Sequence, residues 1–160
     1  MITASHNPKE YNGYKAYWND GAQVLAPHDK NIIAEVNRIK SVDDIHFEGN
    51  KALIEIIGKD MDKAFIEEVK KLVLSPEAIA RHNDLKIVYT PIHGAGSTLV
   101  PDALRAIGFT NIISVPEQDV ISGDFPTVVS PNPEESAALD LAIKKATETG
   151  ADLVMATDPD

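Results

Sequence analysis

Cysteine is absent from the 160 residues. That excludes disulfides and thiolate metal sites, and it is compatible with a reducing compartment. No apolar run approaches the length that crosses a bilayer, and Met1-Ile2-Thr3-Ala4 has neither the basic start nor the apolar stretch of a secretory signal. Basic residues are few: 15 Lys and Arg stand against 25 Asp and Glu, a formal charge of −10. Nucleic acid and anionic membrane surfaces are therefore poor partners. Low-complexity tracts and long single-sign blocks are also missing. The 43% hydrophobic content is that of a globular chain, long enough for one domain or for one domain and part of another. These features together predict a cytoplasmic protein.

The second half has a regular plan. Lys86–Thr90 is a β-branched run that reads as a strand. After Gly94-Ala95-Gly96-Ser97 a helix carries Leu99, Val100, Ala103, Leu104 and Ile107 and closes at Gly108. Asn111–Val115 reads as the next strand, and a loop from Pro116 to Pro131 follows. Asn132-Pro133-Glu134-Glu135 has the composition of a helix start, with a capping amide, a proline and two acids, and that helix ends at Gly150. Asp152–Thr157 reads as a buried-type strand. Strand, helix, strand, helix, strand at these lengths predicts a parallel sheet with right-handed crossovers. The fold class expected is α/β: a three-layer α/β/α arrangement with a mostly parallel sheet in the C-terminal part, preceded by a partial α/β domain with a hairpin.

Signals in the first half are more scattered. Ile2 and Thr3 read as the end of a strand. Residues 14–26 alternate apolar and polar around Asn19-Asp20-Gly21, the pattern of a hairpin. Asp29 is placed to cap a helix with Ile32, Ile33, Val36 and Ile39 at helical spacing. Beyond an irregular polar stretch, Ala52–Ile57 reads as a short strand. Met61–Leu74 reads as an amphipathic helix, and Ser75-Pro76-Glu77 as the capped start of another.

Three stretches carry chemistry. Thr3-Ala4-Ser5-His6-Asn7-Pro8 presents a serine on a turn, because proline drives the preceding residue out of the helical region. An imidazole at His6 follows at once, and an ammonium at Lys15 follows after Tyr11-Asn12-Gly13-Tyr14. A hydroxyl able to carry a covalent phosphate, with cations and donors nearby, is what phosphoryl transfer needs. An isolated Ser-His-Asn-Pro is more often a surface turn with a capping serine. Thr90-Pro91-Ile92-His93-Gly94-Ala95-Gly96-Ser97 leaves a strand and enters a helix, where backbone N–H groups could receive an anion; two spaced glycines also serve a tight turn for local reasons, and that reading stands ahead. Asp158-Pro159-Asp160 lies past the carboxyl end of a parallel strand, where ligands bind in open α/β sheets, and its two carboxylates suit a hard cation. Alone, such a run is more often a frayed acidic tail.

The run from Met1 to Lys15 closely resembles the phosphoserine loop of the α-D-phosphohexomutases, the phosphoglucomutase and phosphomannomutase superfamily. The continuation through Lys30 looks most like the branch of bacterial phosphoglucomutases and phosphopentomutases. The resemblance implies an enzyme that moves a phosphoryl group between two hydroxyls of one sugar through a bisphosphorylated intermediate. It assigns the covalent phosphate to Ser5 and makes Lys15, with His6, the groups that orient charge or protons. The segment at Thr90 resembles the family's T-P-x-H-G, which places His93 near the cleft without assigning it chemistry. The family's metal loop reads D-x-D-x-D-R and binds Mg²⁺ with the phosphoserine; Asp158 and Asp160 match its first two aspartates, so Ser5, Asp158 and Asp160 become the expected metal ligands. The third aspartate and the arginine lie beyond the chain.

On this resemblance, residues 1–60 are the C-terminal part of the family's domain 1 and residues 61–160 its domain 2, ending within the metal loop. Met1 then reads as an internal methionine of a longer protein, and the piece alone is expected to be inactive. A net acidic piece would not grip a doubly charged phosphosugar unaided, and the sugar-selecting and phosphate-binding loops lie elsewhere. The partner expected is a phosphosugar. Other readings stay open: a phosphopentomutase, a haloacid-dehalogenase-like phosphatase with Asp158 as nucleophile, or a module that folds without catalysing anything.

Overall fold

A computed structural model describes residues 1–160. The chain divides into two compact units, one of Met1–Thr3 with Gly13–Ile57 and one of Ala4–Asn12 with Gly58–Asp160.

The first unit has little regular structure. Ile2 makes a single antiparallel bridge to Tyr14, and Tyr17 another to Gln23. The expected hairpin is present as a short ladder: Trp18 N–H donates to Ala22 O at 2.9 Å and Val24 N–H to Ala16 O at 2.9 Å. Gly21, at φ +84°, makes the turn, a left-handed position that suits glycine. Helix α1 covers His28–Val36 with Pro27 at its cap; Asp29 sits in the first turn and does not cap it. The strand expected at Ala52–Ile57 does not form. No strand lies beside it, and the Asn50 side chain accepts the Ala52 N–H at 3.0 Å, which winds Lys51–Leu53 into a 3-10 turn.

In the second unit α2 (Lys59–Lys70) and α3 (Pro76–Arg81) precede the sheet. Helix α2 stops short of Leu74, and Ser75 precedes Pro76 without a side-chain cap. The sheet holds β1 (Lys86–Thr90), β2 (Asn111–Ser114) and β3 (Leu153–Ala156) in the order β2-β1-β3. Both pairings are parallel, with Val88 opposite Ile113 and Val154. Successive β1 side chains point to opposite faces. Val88 therefore meets Val115 and Ala142 in a core beneath α6 (Asp140–Thr149). Tyr89 faces the other layer, where α4 (Gly96–Ile107) packs against α2. This is the expected three-layer α/β/α arrangement.

Three expectations are corrected in detail. The loop after β2 contains a short helix, α5 (Pro116–Asp119). Asn132 Oδ1 accepts the Glu134 N–H at 2.9 Å, yet no helix starts there, because Glu135 is extended at φ −88° and ψ 122°. A 3-10 turn over Ser136–Leu139 leads into α6 instead. β3 is an edge strand with Leu153 exposed, so the buried strand of this sheet is β1, where Ile87 through Thr90 are shielded.

Candidate active site around Ser5

The loop of residues 4–12 is held by its own turns. Asn7 donates twice to Ala4 O, from its backbone at 3.1 Å and its side chain at 2.8 Å, and Tyr11 N–H donates to Pro8 O at 3.0 Å. Ser5 sits at φ +55°, uncommon for a residue with a β-carbon. Its hydroxyl reaches the other end of the sequence: Oγ lies 3.0 Å from Asp158 Oδ2 and 3.2 Å from Asp160 Oδ1. His6 Nδ1 lies 3.1 Å from the same Asp158 Oδ2 and donates to it. With both partners substantially exposed, that contact orients the ring and contributes little stability. Lys9 Nζ, 3.2 Å from Asp124, ties the loop to the segment after α5. Four of the five nominated residues thus meet at the carboxyl end of β3. Lys15 belongs to the other unit, where its N–H donates to Met1 O at 2.9 Å and its carbonyl accepts the Met1 ammonium at 2.8 Å.

Two carboxylates converging on one hydroxyl form a hard-oxygen donor set. Such a set suits Mg²⁺, which ordinarily keeps several waters besides one or two carboxylates. No group of three or more His, Cys, Asp or Glu residues is arranged to hold a metal.

The Thr90–Ser97 turn has another task than anion binding. The Ala95 N–H donates to Pro159 O at 2.8 Å, and the Gly94 N–H to Pro91 O at 2.9 Å. His93 is buried, its Nδ1 2.9 Å from Val120 O and its Nε2 2.8 Å from Thr127 Oγ1. Gln118, fully buried, accepts from Thr90 Oγ1 at 2.7 Å and donates to Thr127 Oγ1 and Ala138 O. His93 therefore lies at the sheet end that carries the aspartates, serving as a brace. Nothing in the sequence marked Gln118, since a lone glutamine in a loop has neither periodicity nor a motif.

Comparison with known proteins decides the family. The model for phosphoglucomutase/phosphomannomutase alpha/beta/alpha domain II matches residues 63–160, and that for domain I matches residues 1–43. The chain belongs to the phosphoglucomutase/phosphomannomutase family. Over its full length it is 42% identical to a probable phosphoribomutase of Schizosaccharomyces pombe, of which it covers 28%. It is 39% identical to a phosphoglucomutase of Staphylococcus haemolyticus, covering 29%, and 40% identical to the human glucose 1,6-bisphosphate synthase, covering 26%. The chain thus spans under a third of the length of these relatives. Within the family frame, Ser5 comes from the segment matched to domain I, and its carboxylate partners come from the segment matched to domain II.

Proposed function

We propose that Ser5 is the phosphoryl carrier of a sugar-phosphate mutase. In the first half-reaction phospho-Ser5 meets a sugar monophosphate: the Oγ–P bond and a sugar O–H bond break, a second sugar O–P bond forms, and the proton passes to Ser5 Oγ, leaving a bisphosphorylated sugar. The second half runs in reverse at the sugar's other phosphate, which returns to Ser5, as in the conversion of glucose 1-phosphate to glucose 6-phosphate. One observation carries the reading: Ser5 Oγ stands within hydrogen-bond distance of both Asp158 and Asp160. The hydroxyl is thus held beside the same two carboxylates that would receive a cation. Asp158, Asp160 and the Ser5 oxygen would hold Mg²⁺. When bound, that ion supplies positive charge beside the transferring group. His6 holds Asp158 in orientation, and His6 and Lys15 are the groups proposed to move or balance the proton. The relatives' names span glucose and ribose, so the substrate class is a sugar monophosphate, with the hexose taken first.

The test, made in a full-length enzyme that carries this segment, is acceptance of a phosphoryl group from glucose 1,6-bisphosphate, read by intact-protein mass and peptide mapping. The wild type gains one phosphoryl group, on Ser5, and releases sugar monophosphate. Ser5→Ala gains none and melts within a few degrees of wild type, because the loop is exposed and alanine leaves no cavity. A phosphoryl group that persists on Ser5→Ala, on Asp158 above all, overturns the serine carrier in favour of an aspartyl phosphatase.

A further inference from the structure

Asp158 and Asp160 flank Pro159, and Pro159 is the residue that the turn after β1 grips. A β-carbon placed on Gly94 would fall inside the van der Waals envelope of the Pro159 Cα, carbonyl carbon and oxygen. Those are backbone atoms, so no rotamer relieves the clash. One residue on, Ala95 N–H donates to the Pro159 carbonyl at 2.8 Å. Gly96 completes the seat: a β-carbon there would meet the Tyr89 hydroxyl and Thr157 Oγ1, which bond each other at 2.9 Å. The turn that presents these three residues is itself forced. Ile92 stands at φ +47° and His93 at φ +64°, two consecutive left-handed residues, the first β-branched. Such conformations persist where the surroundings over-determine them. Here Ile92 N–H donates to Thr90 Oγ1 at 3.1 Å, His93 N–H to Gln118 O at 2.9 Å, and the His93 carbonyl accepts from Ser122 N–H at 3.0 Å.

We propose that Gly94, aimed by the Ile92-His93 turn and assisted by the Ala95 N–H, is a positioning residue: by bearing directly on the Pro159 backbone it fixes where the Asp158 and Asp160 carboxylates stand before any cation arrives. The proposal rests on the cation reading of those aspartates and adds to it the claim that the loop is preformed by a neighbouring turn. The absence of a side chain at position 94 is then a requirement of the site, separate from any need of the turn itself, since Gly94 is not among the residues of positive φ.

The probe is Mn²⁺ alone, titrated by calorimetry. Gly94→Ala is expected to weaken Mn²⁺ binding by about 10- to 100-fold, the range typical of groups that orient ligands. Gly123→Ala, where nothing lies within 4 Å of the new methyl, serves as the control and keeps wild-type affinity. Because Gly94 acts through Pro159, its effect and that of Pro159→Gly must be non-additive, the double variant losing no more than the worse single one. Wild-type affinity in Gly94→Ala, or simple additivity in the double variant, overturns the proposal. A second measurement needs no variant and covers a Gly94→Ala chain that fails to fold. In the unmutated protein without metal, amide exchange at Ala95 should be as slow as at Val88 in β1. An Ala95 amide that exchanges freely until Mn²⁺ is added means that the cation, rather than the turn, organises the loop. If the wild type takes up no Mn²⁺, the cation reading fails by itself, and amide exchange alone then decides whether the turn holds the loop.

Discussion

Tyr89 shows how much one buried polar atom governs at the residue scale. Burial pushes its phenol above the ordinary 10.0, the hydrogen bond with Thr157 pulls it part of the way back, and Asp119 raises it further. The native state therefore holds the Tyr89 proton more tightly than the unfolded chain does. Its stabilising contribution is complete below pH 10.0 and is lost as pH climbs through the raised native value. Urea melts from about pH 8 to about pH 11 should show that loss, and Tyr89→Phe should flatten it while costing about 1 kcal/mol at neutral pH for the missing hydrogen bond. An equally steep alkaline decline in the variant would move the effect to another group. Gln118→Leu should cost more, about 1–3 kcal/mol by urea titration, since the buried Thr90 hydroxyl loses its acceptor. Legibility at this scale follows chemistry. Ser5, His6, Asp158 and Asp160 announce themselves by type and by motif, whereas Gln118 matters only because three backbone and side-chain groups surround it after folding.

Elements were readable where local signals and tertiary partners agree. β1 occupies the run Lys86–Thr90 that its β-branched residues mark, and α4 stops before Gly108, which stands at φ +122°. Ala52–Ile57 shows the opposite case. An apolar run becomes a strand only beside another strand, and no periodicity in the run itself reports whether one is there. The misplaced start of α6 has a similar origin: Asn132 makes its capping bond, but Ser130 Oγ holds the Glu135 carboxylate at 2.8 Å and the backbone stays extended for one more residue. The end of that helix allows a clean test. Gly150 stands in the left-handed region at φ +60°, its N–H donating to Ala146 O, with open space around it. Gly150→Ala should therefore destabilise the second unit by about 1 kcal/mol through backbone strain alone, and Gly150→Asn by less, as read from thermal melts. Equal stability of the alanine variant would show that the cap relaxes.

Across the whole molecule, chain order and packing disagree in one place. Residues 4–12 follow Thr3 directly yet belong with Gly58–Asp160, a membership no local pattern encodes. The Ser5–Asp158 hydrogen bond consequently joins residues 153 positions apart. Closing so long a loop costs about 4 kcal/mol of chain entropy beyond a constant, whereas β1 finds Asn111 from Lys86 across a short crossover. Contacts of that separation tend to form after the local ones. During refolding of a full-length enzyme that carries this segment, acceptance of a phosphoryl group from glucose 1,6-bisphosphate should therefore lag the far-ultraviolet dichroism of the sheet and helices; simultaneous recovery would show that the loop docks early. On the proposed reading, a phosphate on Ser5 is a time stamp as well as a chemical intermediate. A chain stalled during folding, or nicked between its two ends and fallen apart, keeps the serine but loses the means of marking it.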